Sequence, residues 1–173
     1  MKGMHGNTGT EKNYNAYIRP RSYSKAEDID MGGIKDSTYL DVKKALARRF
    51  SPQEGWQFAW FPTYGSVQPE CMLSRRIAGR TERVIVSVKM APAVPMDTVE
   101  ELQNQCRALV ENDIRVDRAV LVVPTGANVS RVPEGIDVLE MGNWQVVDGR
   151  IAWSKNIERR AFMKEELEKR GLA

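Results

Sequence analysis

The spacing of apolar residues changes repeatedly along the chain, and each change marks an element. Tyr39, Val42, Leu46 and Phe50 recur at three- and four-residue steps, which is one face of a helix. Asp36 or Ser37 stands where an N-cap belongs, and Ser51-Pro52 closes the helix, because a residue before proline is pushed out of the α region. Lys43, Lys44, Arg48 and Arg49 fall largely on the opposite face. Residues 56–61 are short and aromatic, which predicts a strand, and Pro62-Thr63-Tyr64-Gly65 turns the chain. A second strand opens at Pro69-Glu70. A third, over residues 83–90, carries the apolar run Val84, Ile85, Val86, Val88 and ends near Lys89; Ala78-Gly79-Arg80-Thr81 connects the two as a hairpin.

Beyond the rigid connector Ala91-Pro92-Ala93-Val94-Pro95, Asp97 reads as a helix cap with Glu100 three residues on completing a capping box. Val99, Leu102, Cys106, Leu109 and Val110 then form an apolar stripe to about residue 114. Residues 118–123 are wholly apolar after Arg118, as in a central parallel strand, so strand–helix–strand here implies a right-handed crossover. Residues 136–141 read as another strand. Residues 145–147 and 150–153 flank Asp148-Gly149, a two-residue hairpin signal. A charged helix over residues 156–170 ends at Gly171. The expected fold is therefore α/β, a small mixed β-sheet flanked by helices. Residues 1–30 lack periodicity and read as a flexible arm, residues 31–154 as the α/β domain and residues 155–173 as the C-terminal charged helix.

Composition narrows the chemistry. At 173 residues, with 42% hydrophobic and 28% charged residues, the chain has the profile of one soluble domain with its own core. No apolar run is long enough to span a bilayer, and MKGMHGNTGT lacks the apolar centre of a secretory signal. A cytoplasmic protein is expected. Cys71 and Cys106 read as free thiols. The single histidine, His5, lies in the arm, which removes most zinc sites and histidine-based nucleophile pairs. The net charge of +3 is uninformative, but Arg75, Arg76, Arg80, Arg83 and Lys89 face only Glu82 within residues 71–90. Such a cluster can contact phosphates or simply solubilise a turn.

The order helix, three strands, helix, strand, strand, with Pro69-Glu70 at the head of the second strand and Ser87-Val88-Lys89 at the end of the third, resembles the PD-(D/E)xK nuclease superfamily. The resemblance covers about residues 36–141 and implies a restriction-endonuclease-like αβββαββ core. It also implies phosphodiester hydrolysis in nucleic acid, DNA first, with Mg2+ as cofactor. In that pattern Glu70, Ser87 and Lys89 occupy the catalytic positions, Glu70 and Asp41 (on the first helix) are the metal ligands, and Arg75, Arg76, Arg80 and Arg83 contact the nucleic-acid backbone. Gln103 and Gln105 stand where exonuclease-type members carry a glutamine. The resemblance further allows a homodimer or a place in a protein assembly.

One position departs from the pattern: Ser87 stands where a second acid belongs. Magnesium takes hard oxygen ligands in octahedral geometry, and a hydroxyl is a neutral, weaker ligand than a carboxylate. Residues 87 and 89 nevertheless face the same side of a strand. Three readings stand. Glu70, Asp41 and a main-chain carbonyl suffice for an atypical active site; an acid from elsewhere, such as Glu82, moves into place; or the site is inactive and the fold serves as an interaction module.

Overall fold

The computed structural model describes residues 32–172. The expected arm over residues 1–30 lies outside them. Helix α1 (Gly32–Arg49) is followed by a short 3-10 turn, Pro52–Glu54, then strands β1 (Gln57–Trp60), β2 (Cys71–Ile77) and β3 (Arg80–Val88), helix α2 (Met96–Glu111), strands β4 (Arg118–Thr125), β5 (Ile136–Val147) and β6 (Arg150–Trp153), and helix α3 (Ser154–Lys169). The order expected from the sequence therefore holds, and the chain is a mixed α/β protein.

The six strands lie in the sheet in sequence order. β1, β2 and β3 pair antiparallel; β3–β4 and β4–β5 are parallel; β5–β6 is antiparallel. β4 is central and buried from Ala119 to Val123, as its unbroken apolar run requires. Alternation along the strands divides the core into two faces. Cys71 and Leu73, Val84, Val86 and Val88, and Val120 and Val122 meet Val42 and Leu46 of α1 and Phe50 just beyond it. Met72, Ile85, Leu121 and Val123 meet Val99, Leu102 and Leu109 of α2. Each such side chain taken from water contributes about 1.5–3 kcal/mol, so the sheet is clamped between two helices by oil on both sides.

Three local expectations change. α1 begins at Gly32, so Asp36 and Ser37 lie inside the helix: a capping residue favours an end but does not force one. Asp97 is likewise inside α2, whose N-cap is Pro95 with no side-chain cap bond; its carboxylate accepts from the Thr98 N–H at 2.7 Å instead. Residues 136–141 and 145–147 form one bulged strand. The register with β4 jumps from Pro124↔Met141 to Thr125↔Gln145, leaving Gly142, Asn143 and Trp144 without partners on β4. Both hairpin turns have positive φ at two successive residues, Ala78-Gly79 and Asp148-Gly149, the two-residue turn that matches strand twist. α3 ends in a Schellman motif: the Leu172 N–H donates to Leu167 O and the Gly171 N–H to Glu168 O, both at 3.0 Å. Among the described residues no helix is long and apolar enough to cross a membrane.

Candidate functional site

Glu70 immediately precedes β2, and its carbonyl still accepts the Phe61 N–H at 2.9 Å, carrying the β1–β2 ladder one step further. The register Cys71↔Val86, extended by that same step, sets Glu70 opposite Ser87. Parity then fixes the face. Glu70 alternates with Cys71 and so shares the side of Met72; Ser87 and Lys89 share the side of Ile85. Met72 and Ile85 both belong to the α2 face. The three residues expected at the site therefore come together at one end of the sheet, on one face.

The electrostatics there are unusual. Glu70 Oε2 accepts, at 2.6 Å, the N–H of Val88, the residue between Ser87 and Lys89. Burial pushes the Glu70 carboxyl from 4.5 to about 7; the Val88 N–H pulls it down, the charge of Glu101 pushes it up, and Lys89 pulls it down. Lys89 is half-buried and makes no ion pair among the described residues. The Ser87 hydroxyl, also half-buried, makes no hydrogen bond among them. Beside Glu70, Cys71 is a buried free thiol whose pKa is pushed to about 12, by burial first and then by Glu70, with Lys43 opposing.

Glu101 was not among the candidates read from the sequence. It lies on α2, exposed and without an ion pair among the described residues. Its position follows from the topology. A parallel crossover runs α2 antiparallel to β3, so the first turns of the helix return over the end of the strand that carries Lys89. Thr98, Glu101 and Gln105 sit at three- and four-residue steps and share one flank of the helix. Gln105 is half-buried on that flank, whereas Gln103 lines a groove with Leu102, Cys106, Pro133 and Ile136 on the other.

The remaining expected residues are placed elsewhere. Asp41 is buried, and Asn143 Nδ2 donates to its Oδ1 at 2.6 Å. Its carboxylate thus ties α1 to the β5 bulge, and Asp41 is not among the charges that act on Glu70. Glu82 accepts from Arg75 Nε at 2.7 Å, and the Arg75 guanidinium lies 4.5 Å from the centre of the Trp56 ring. Arg76 and Arg80 are exposed beside the Ala78-Gly79 turn, and the Arg83 N–H donates to Asp117 Oδ2 at 3.0 Å. That turn is the far end of the hairpin from Glu70, roughly 25 Å along the strand at 3.3 Å per residue. Arg76 and Arg80 are therefore at the opposite end of the β2–β3 hairpin from Glu70 and Lys89.

No family model and no curated protein matches the chain. A solved structure of Pyrococcus furiosus SfsA in complex with Ca2+ is similar over 68% of this chain, at 17% sequence identity and a TM-score of 0.34; the chain spans 62% of that one. A likeness of that size bears no weight on what the site does.

Chemically, the sheet end offers the Glu70 carboxyl, which feels the charge of Glu101, with the Ser87 hydroxyl and the Lys89 ammonium nearby. Among the described residues no three Asp, Glu, His or Cys side chains gather as a cation cage. A pair of carboxylates is nonetheless the donor set that magnesium accepts, since that ion keeps several of its waters. With no cationic side chain in contact with either carboxylate, a dication would relieve their repulsion, and in this respect the residues fit one.

Proposed function

We propose that the Glu70 end of the sheet is a divalent-metal site for phosphodiester hydrolysis in nucleic acid, DNA first, with Glu101 in the part that the sequence pattern gives to the position of Ser87. The observation that carries this reading is the meeting of Glu70, Ser87 and Lys89 at one sheet end, where the buried Glu70 carboxyl feels the charges of both Glu101 and Lys89. Bound there, Mg2+ would polarise a phosphoryl oxygen and make hydroxide available at neutral pH. The chain's own residues do the rest. Glu70 and Glu101 hold the ion, Glu70 only when ionised. Lys89, which makes no ion pair among the described residues, stabilises negative charge developing on the phosphate. The Ser87 hydroxyl orients water on the same face. Arg76 and Arg80 contact the backbone away from the scissile bond. The Pro69-Glu70 and Ser87-Val88-Lys89 resemblance supports nucleic acid as the substrate class.

The test is cleavage of DNA by the full chain with and without Mg2+. Cleavage that requires the metal and is abolished by Glu70→Ala and by Lys89→Ala is expected; cleavage that persists in both variants sinks the assignment.

A second reading, a non-catalytic nuclease-like module, is favoured by one observation: Glu70 is committed to the Val88 N–H and holds a proton up to about pH 7. It predicts no heat of Mg2+ binding at pH 8, where the first reading predicts a clear signal.

A further inference from the structure

α3 is the least anchored element of the fold. None of its sixteen residues is buried, and Phe162, Met163 and Leu167 expose 61%, 55% and 41% of their surfaces. A helix of that length is marginal alone in water, and most protein helices are held by an apolar face packed on something. Inward, α3 meets the β5–β6 hairpin across an open groove lined by Trp144, Trp153, Ile157 and Arg160. Outward, Arg159, Met163 and Glu166 recur at steps of four and three and so share one face, with Phe162 and Leu167 on its flanks. Arg159 makes no ion pair among the described residues, while Glu166 is met only by Lys169 at 3.9 Å and Arg170 at 3.6 Å, both on its own helix.

From this we infer that α3 is the contact surface of a homodimer, two copies of the helix packing antiparallel about a two-fold axis between Phe162 and Met163. Along the face the order is positive at Lys155 and Arg159, apolar at the centre, negative at Glu166 and positive again at Arg170. Arg159 and Glu166 stand symmetrically about that centre, about 5 Å to either side at 1.5 Å per residue. A two-fold axis there sets Arg159 against Glu166 of the second copy and Glu166 against its Arg159, with Phe162 and Met163 meeting Met163 and Phe162. A patch complementary to itself is what an isologous dimer requires. At the outer ends Lys155 falls opposite Arg170, a like-charge pair that limits affinity. Three apolar side chains on a helix about 24 Å long bury less than the roughly 800 Å² per partner of a tight complex, so the dimer forms as concentration rises. It stands or falls independently of any cleavage activity.

Sedimentation velocity on the full chain, from low micromolar to several hundred micromolar, tests it, with far-UV circular dichroism to follow helix content. The wild-type chain is expected to pass from monomer to dimer within that range. Arg159→Glu and Glu166→Arg each turn two symmetric attractions into repulsions and weaken association about tenfold. The double variant Arg159→Glu/Glu166→Arg restores the signs and the dimer. A chain that stays monomeric throughout overturns the inference. So does a dimer indifferent to Arg159→Glu, or one that both single variants weaken and the double variant does not rescue.

Discussion

The two ends of the β2–β3 hairpin treat their charges in opposite ways. At the turn end, Arg75 is paired with Glu82 and laid on the Trp56 ring, while Arg76 and Arg80 stand in water. At the other end, Glu70 is drawn into a low-dielectric site with the charge of Glu101 against it, and Lys89 makes no ion pair among the described residues. A paired or solvated charge has already found its counterpart. An opposed, half-buried one has not, and it is there that a cation or a phosphate has something to gain. The contrast teaches that the dense arginine cluster, the loudest signal in the sequence, is electrostatically quiet, and that the sparse end is the reactive one.

The largest expected effect is on metal binding. Glu101→Gln removes one of two carboxylates and is expected to weaken Mg2+ binding at least tenfold by calorimetry, since each charged ligand is a large share of a site with so few. Ser87→Glu in that background supplies a carboxylate on the same sheet face and recovers part of the loss. Glu82→Gln, at the quiet end, leaves the affinity unchanged. An equal loss from Glu82→Gln would erase the difference between the two ends.

The next effect is on pH dependence, and its sign follows from burial. The Glu70 carboxyl titrates near 7 in the folded chain against 4.5 ordinarily. Between those values the folded form keeps a proton that the unfolded form releases. The stability this group contributes is full below about pH 4.5 and falls as pH rises through 7, by on the order of 1–3 kcal/mol once the partial exposure of the site is allowed for. Glu70→Gln flattens that fall in urea melts taken from pH 5 to 8. Mg2+ requires the ionised carboxylate, so its affinity rises over the same interval. An affinity equal at pH 6 and pH 8 would contradict the shared titration.

How much of this was legible beforehand depends on which residues one asks about. The element order came through because apolar spacing is a local signal: β4 reads as a central strand from its own residues, and α2 from its stripe. The site was half legible. Glu70, Ser87 and Lys89 lie on or next to two strands joined by a short turn, so register and parity bring them together without further information. Glu101 was hidden because its role depends on where a crossover helix returns, a tertiary fact. Its immediate neighbourhood reads as an ordinary helix start, with Glu100 as a capping-box partner. The signal available was the short connector between Lys89 and Met96, which forces the first turns of α2 to lie over the end of β3. Asp41 misleads in the opposite direction. It sits on the first helix where a ligand was sought, yet its hydrogen bond is to Asn143, 102 residues away. That partner exists only because β5 is bulged, and Gly142-Asn143 reads in sequence as a break between two strands.

The smallest effect is at the quiet end, and it tests whether that end is quiet for the reason given. Arg75 has two partners, the Glu82 carboxylate at 2.7 Å and the Trp56 ring, and its side chain is a quarter exposed against 14% for Glu82. A pair so near the surface couples by roughly 0.5–1 kcal/mol. In a double-mutant cycle of Arg75→Met with Glu82→Gln, the coupling measured by urea denaturation is expected in that range. Methionine keeps most of the apolar stem over Trp56, so the cycle isolates the charge. Salt at 1 M, where the screening length is about 3 Å, should shrink the coupling further. A coupling of several kcal/mol would mean that Glu82 is as strained as Glu70. The charges at the turn would then also be held against their preference, and the asymmetry that singles out the Glu70 end would disappear.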